Sequence, residues 1–228
     1  MKLLLAGEID GKIVDFYEKI THLVGYGFDM NTLPEWVLCT GSFGTWPDKA
    51  KVDRGTRQHV GVGDFPVLYA KGFDNSIQTV YISGVHEDHL WLKQRQASRN
   101  MEVLPNIHWL ATGYRTNIGN WDENIRITGF GKVYSEATFN GTVGRHSIRH
   151  YTRQEFEKAC SSGPTDILLF HEKPTNKVTH QIIFATQPKL IVYSSKTAEV
   201  EKIMGIQAIG LSKSEIYMFD TKLLNIKK

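Results

Sequence analysis

The sequence predicts an α/β fold, and three observations carry that prediction. Short apolar runs stop repeatedly at glycine, as buried strands do on entering tight loops. Between them lie stretches with apolar residues three or four apart, the face of an amphipathic helix. The chain is 228 residues long, with 41% hydrophobic and 11% aromatic residues, enough for one sizeable core.

In chain order, Lys2-Leu3-Leu4-Leu5-Ala6 runs into Gly7-Glu8-Ile9-Asp10-Gly11, which predicts a strand and then a loop. Ile13, Phe16, Tyr17, Ile20 and Leu23 mark one helical face, closed by Gly25 and Gly27. Trp36-Val37-Leu38-Cys39 leads into Gly41-Ser42-Phe43-Gly44, and Val80-Tyr81-Ile82 into Gly84-Val85-His86-Glu87-Asp88. The glycine- and aspartate-rich segment from Asp53 to Asp64 reads as a mobile loop. Ile125 to Gly131 reads as a strand with a glycine turn. Thr152-Arg153-Gln154-Glu155 has capping-box spacing, so a helix is expected from there to Gly163-Pro164. Asp166-Ile167-Leu168-Leu169-Phe170 delivers His171 at a strand end, Leu190-Ile191-Val192-Tyr193 ends in Ser194-Ser195, and Glu215 to Phe219 forms a last strand. Polar groups just beyond parallel strands are where open α/β sheets place their sites.

Charge and cysteine usage bound the function loosely. A net charge of +3 with 22% charged residues permits an anionic partner without demanding one. Cys39 and Cys160 are the only cysteines, which excludes a disulfide framework and a cysteine-rich zinc module. Met1 to Ala6 lacks the pattern of a secretory leader, and no apolar run approaches the roughly 20 residues of a membrane span. The expectation is a cytoplasmic chain with no membrane partner.

The order of the polar loops resembles the calcineurin-like metallophosphoesterase superfamily, whose motifs Asp-x-His-Gly, Gly-Asp, Gly-Asn-His-Glu, a lone His and Gly-His-x-His each follow a strand. The matching segments are Glu8-Ile9-Asp10-Gly11, Gly41-Ser42, Gly84-Val85-His86-Glu87, His171 and the neighbourhood of Ser194-Ser195. Within that superfamily the text is similar to the RNA lariat debranching enzymes and CwfJ-type splicing proteins. The similar stretches are Pro105-Asn106-Ile107-His108-Trp109-Leu110, Ile125 to Gly131, Arg145 to Arg153 and Asp166 to Pro174. The resemblance implies a single domain over residues 1–228, folded as a four-layer α/β/β/α sandwich. It also implies His86 as the catalytic proton donor.

The motifs are degenerate as metal ligands. A two-metal site clamps a phosphate between cations roughly 3.5–4 Å apart and needs a bridging carboxylate. Ser42 stands at the bridging position, Val85 replaces the amide ligand, and no histidine follows His180. Glu8, Asp10 and His171, with His180 or Asp88, remain as candidates for one divalent ion (Mn, Fe or Zn). Two readings stay open for His86, a proton donor or an ordinary member of a solvated acidic loop. His171 is likewise a ligand or a satisfied core histidine. Cys39 reads as packed inside a strand, and Lys196 as a candidate cation in place of a ligand.

Arg145, His146, Arg149, His150 and Arg153, beside Tyr151, form a basic stretch. Arginine forks match phosphate oxygens and rings stack on unpaired bases, so RNA, DNA or another phosphate ligand is one expected partner. A solvated basic strand is the plain alternative. Trp46, Trp91, Trp109 and Trp121 are stacking surfaces or, more simply, core. The functional expectation is a phosphoesterase fold without ordinary two-metal hydrolysis that binds a phosphate-bearing ligand or a protein. The alternative is an active metal-dependent phosphodiesterase with an atypical site.

Overall fold

The structure, a computed structural model, describes residues 1–25, 34–120, 122–144 and 146–225. Trp121 and Arg145, and the expected helix stop at Gly27, lie outside the described residues.

The strands are β1 (Lys2–Ala6), β2 (Trp36–Cys39), β3 (Gln78–Ile82), β4 (Glu102–Leu104), β5 (Ile107–Leu110), β6 (Arg115–Gly119), β7 (Asn124–Phe130), β8 (Ile167–Phe170), β9 (Leu190–Ser194), β10 (Glu199–Ile203), β11 (Ile206–Leu211) and β12 (Ile216–Asp220). They form two six-stranded sheets, in the orders β12-β1-β2-β3-β5-β4 and β10-β11-β9-β8-β7-β6. The inner strands β1, β2, β3 and β5 of the first sheet are parallel, as are β7, β8, β9 and β11 of the second. An antiparallel strand closes each edge: β12 and β4 on the first sheet, β6 and β10 on the second.

Side-chain alternation stacks the layers. In β1, Leu3 and Leu5 point into a core shared with Ile167 and Leu169 of β8 and Leu190 and Val192 of β9, so the two sheets pack face to face. Leu4 and Ala6 point the other way, against Ile13, Phe16, Tyr17 and Ile20 of α1 (Ile13–Gly25), with Phe65 of α3 (Phe65–Lys71) and Leu92 of α4 (His89–Ala97). On the far side, Leu168, Phe170, Ile191 and Tyr193 pack against Phe139 of α5 (Glu136–Phe139), Ala159 of α6 (Arg153–Ser161), and Ile182 and Ile183 of α7 (Lys177–Thr186). The result is a mixed α/β sandwich with helices on both outer faces. No helix among the described residues is long and apolar enough to cross a membrane.

The capping box forms as expected: the Thr152 hydroxyl accepts from the Glu155 amide, and the Glu155 carboxylate accepts from the Thr152 amide. The segment from Asp53 to Asp64 departs from its expected loop. It contains a short helix, α2 (Arg54–His59), because the Asp53 carboxylate caps it through the Thr56 amide and hydroxyl. Its glycines mark the ends of that turn, with Gly61 and Gly63 at positive φ.

Candidate functional site

The loops after the parallel strands of both sheets meet along one crest. Ser42, beyond β2, uses its carbonyl to accept from the Ile9 and Asp10 amides beyond β1, at 2.9 and 2.8 Å. Its hydroxyl accepts from the His86 amide beyond β3 at 3.2 Å. The second sheet joins through His171, whose Nδ1 lies 3.1 Å from the Thr40 carbonyl, and through Ser194, whose hydroxyl sits 2.7 Å from that of Thr40. Gly84 makes the convergence possible: a Cβ there would lie 2.1 Å from Ser42 Oγ and 2.5 Å from His171 Cε1.

The expected ligands meet different surroundings. Asp10 is 4% exposed and sits at φ 52°, a left-handed conformation that Asp tolerates better than most residues. Its Oδ2 pairs with the Lys213 ammonium at 2.6 Å, while Oδ1 has no partner. Glu8 Oε1 lies 3.9 Å from His171 Nε2. Burial, and then the Asp10 charge, push the Glu8 carboxyl up to about 7. Burial holds His171 below the ordinary histidine value. Asp88 caps α4 by accepting from the Trp91 amide, and His180 lies on α7 in the outer layer. Among the described residues, no three His, Cys, Asp or Glu side chains are arranged to hold a metal ion. The donor set does not fit a divalent pair: Ser42, where the resemblance expects a bridging carboxylate, offers a hydroxyl engaged by the His86 amide, and the Lys213 ammonium occupies one oxygen of Asp10. The cation paired with Asp10 is Lys213, in the turn between β11 and β12; Lys196, just beyond β9, is exposed.

The loop carrying His86 is built inward and is not a solvated acidic loop. Glu87 is 2% exposed and accepts from the amides of Phe43, Gly44 and Thr45 at 2.6, 3.1 and 2.6 Å. Burial pushes its carboxyl up to about 7 against the pull of those amides. His86 itself is half-buried, its Nδ1 3.2 Å from the Thr56 hydroxyl. That hydroxyl gives its single proton to Asp53 Oδ2 at 2.7 Å, so toward His86 it accepts, which assigns the proton to Nδ1 and leaves Nε2 with a lone pair. Burial keeps His86 below its ordinary value despite Asp10 and Asp53.

The basic stretch is divided rather than gathered. Ser147–Arg149 forms one 3-10 turn, and its two sides face different clefts. His146 and Arg149 line a cleft of about 850 Å³ with Trp46, Lys51 and Arg54. His150 and Arg153 line another of about 730 Å³. Tyr151 is fully buried, and Trp46 and Trp109 are largely core.

Arg149 is held by Asp53 at 2.8 Å. Burial pushes Asp53 up, but the Thr56 hydroxyl and amide and the Arg149 guanidinium bring it from 3.8 down to about 2. A depressed carboxyl stabilises the fold fully above its unfolded value and stops doing so as pH falls through the folded one. Asp53 should therefore steepen acid unfolding between pH 3.8 and about 2, and Asp53→Asn should flatten that part of a urea-stability profile against pH. The same variant frees Arg149.

Lys213, Thr56 and Asp53 had no sequence signal of their own as site residues. Lys213 reaches Asp10 only because β11 and β12 run on different sheets and the turn between them crosses the crest.

No family model matches the sequence, and no curated protein sequence matches it. Solved structures do share its architecture. TT1561 of Thermus thermophilus superposes with a TM-score of 0.59 at 14% identity, over 96% of this chain and 98% of that one. A second crystal structure gives a TM-score of 0.59 at 13% identity, again over 96% and 98% of the two chains. The likeness is one of fold. GAP50, the anchor in the inner membrane complex of Plasmodium, reaches a TM-score of 0.48 at 9% identity over 93% of this chain and 72% of its own.

Proposed function

We propose that this chain is a calcineurin-like phosphoesterase fold that has exchanged two-metal hydrolysis for binding a phosphate-bearing ligand. The observation that carries the reading is the Lys213 ammonium, 2.6 Å from the buried Asp10 carboxylate, which stands at the second ligand position of the first expected motif. A fixed ammonium supplies positive charge there without the Lewis acidity or the bound hydroxide that hydrolysis needs. Ser42 and Val85 support the same reading, since neither bridges or ligates two dications. The crest itself offers little surplus positive charge, because Lys213 faces Asp10 and Glu8. Ligand phosphate is therefore assigned to the basic side chains of 146–153 and their neighbours in the two flanking clefts.

Turnover of bis(p-nitrophenyl) phosphate with added Mn²⁺ tests the hydrolytic half. The expected rate is indistinguishable from that of the Lys213→Met/Asp10→Asn double variant. A rate that His86→Ala and Asp10→Ala each abolish supports the second reading, a metal-dependent phosphodiesterase with an atypical single-ion site. The unpartnered Asp10 Oδ1 is the observation in favour of that reading.

A further inference from the structure

We propose that the cleft between α4 and the α5–α6 segment binds a nucleoside monophosphate, a planar hydrogen-bonding ring carrying one phosphate. The inference rests on the phosphate-ligand reading above and narrows it to one cleft and one ligand class. At about 730 Å³ the cleft falls within the range of small-molecule pockets.

Its charge is one-sided. Lys93, Lys132, Arg153 and Lys158 line it, against the single carboxylate of Glu155. Lys132 takes that carboxylate at 2.6 Å, and the capping box takes its other oxygen. Among the described residues, Lys93, Arg153 and Lys158 form no ion pair. Arg153 instead lies over the Phe139 ring at 4.7 Å, and Lys158 over Tyr114 at 3.5 Å. Cations held over aromatic rings without a carboxylate partner keep their charge available to a ligand phosphate.

The inner wall supplies the second, independent observation. Seven buried side-chain polar atoms in the described structure lack a protein partner, and four belong to residues of this one cleft: His89 Nε2, Trp109 Nε1, Thr112 Oγ1 and His150 Nδ1. His89, Trp109 and Thr112 are only 6%, 5% and 3% exposed. Buried polar groups are rarely left unpaired, so a cluster of them points to partners that are not protein: ordered water or a polar ligand. Their chemistry is mixed. Trp109 Nε1 only donates. Burial pushes His89 down to about 3, so its ring is neutral, with one nitrogen donating and the other accepting. A nucleobase edge presents a donor beside an acceptor and answers both as the wall relaxes onto it. Inorganic phosphate, chiefly an acceptor, answers the Trp109 donor but not an acceptor beside it, and an apolar ligand leaves all four unpaired.

Calorimetric titration of the full chain with the four ribonucleoside 5′-monophosphates, their nucleosides and inorganic phosphate tests the assignment. At least one monophosphate is expected to bind tenfold or more tightly than its own nucleoside and than phosphate. Lys93→Ala/Lys158→Ala, which changes exposed side chains, should weaken it at least tenfold, and Thr112→Val at least threefold. Lys213→Met should leave it unchanged. No monophosphate preferred over nucleoside and phosphate, or binding indifferent to the double lysine variant, would overturn the proposal. Binding of a single-stranded RNA decamer without any monophosphate binding overturns it as well but keeps the broader phosphate reading. If neither binds, both readings fall.

Discussion

Glu87→Ala is expected to destabilise the chain by about 3–5 kcal/mol, read from urea unfolding. The carboxylate is 2% exposed and satisfies the amides of Phe43, Gly44 and Thr45. Each amide left buried and unpaired costs about 1–3 kcal/mol, and water entering the vacated space recovers part of the sum. The loop cannot move away to find other partners. Gly44 sits at φ +89°, and even a Cβ there would meet the Gly11 nitrogen at 2.4 Å. Glu87→Gln keeps one acceptor but turns an amide donor toward backbone donors, so an intermediate loss is expected. A loss under about 1 kcal/mol for the alanine variant would mean that the loop is held by something else.

Lys213→Met should cost about 2 kcal/mol, because it strands a carboxylate that is 4% exposed. The half-exposed lysine keeps the loss below that of a fully buried pair. Adding Asp10→Asn to it should return much of the loss, with a coupling of about 1–2 kcal/mol between the two positions. Simple additivity in that cycle would show that the 2.6 Å contact carries no energy. The single variant also separates the two readings of the crest. If Asp10 retains the capacity to ligate, removing the ammonium should increase Mn²⁺ affinity; in the binding-protein account the metal affinity of the variant stays negligible.

Much of the fold was legible because buried parallel strands announce themselves locally. Leu3-Leu4-Leu5 and Leu190-Ile191-Val192 are continuous apolar runs since both of their faces are covered, one by the other sheet and one by helices. The β10–β11 hairpin was missed for the opposite reason. Glu199-Val200-Glu201-Lys202 lies at an edge and looks like surface, and its turn is made by Met204 and Gly205, both at positive φ, instead of an Asn-Gly pair. α2 was hidden by the glycines around it.

The site was legible only where one loop supplies its own chemistry. His86 and His171 stand at strand ends that the sequence marks with glycine or with an apolar run. Lys213 and Thr56 come to those strand ends from distant turns, and nothing within a few residues of either reports it. The basic stretch shows a different limit. Its residues are neighbours in sequence, yet a 3-10 turn sends His146 and Arg149 to one cleft and His150 and Arg153 to another. Sequence proximity sets a common face only when the local period is known.

In the proposed reading, the Lys213–Asp10 pair stands where a phosphoesterase would hold its metal pair. Elemental analysis by mass spectrometry, on full chain produced with Mn²⁺, Fe²⁺ and Zn²⁺ supplied and then desalted, tests it most directly. The account predicts far less than one transition-metal ion per chain, unchanged when Asp10 is replaced by asparagine. Two ions per chain, lost together in Asp10→Asn, would contradict it.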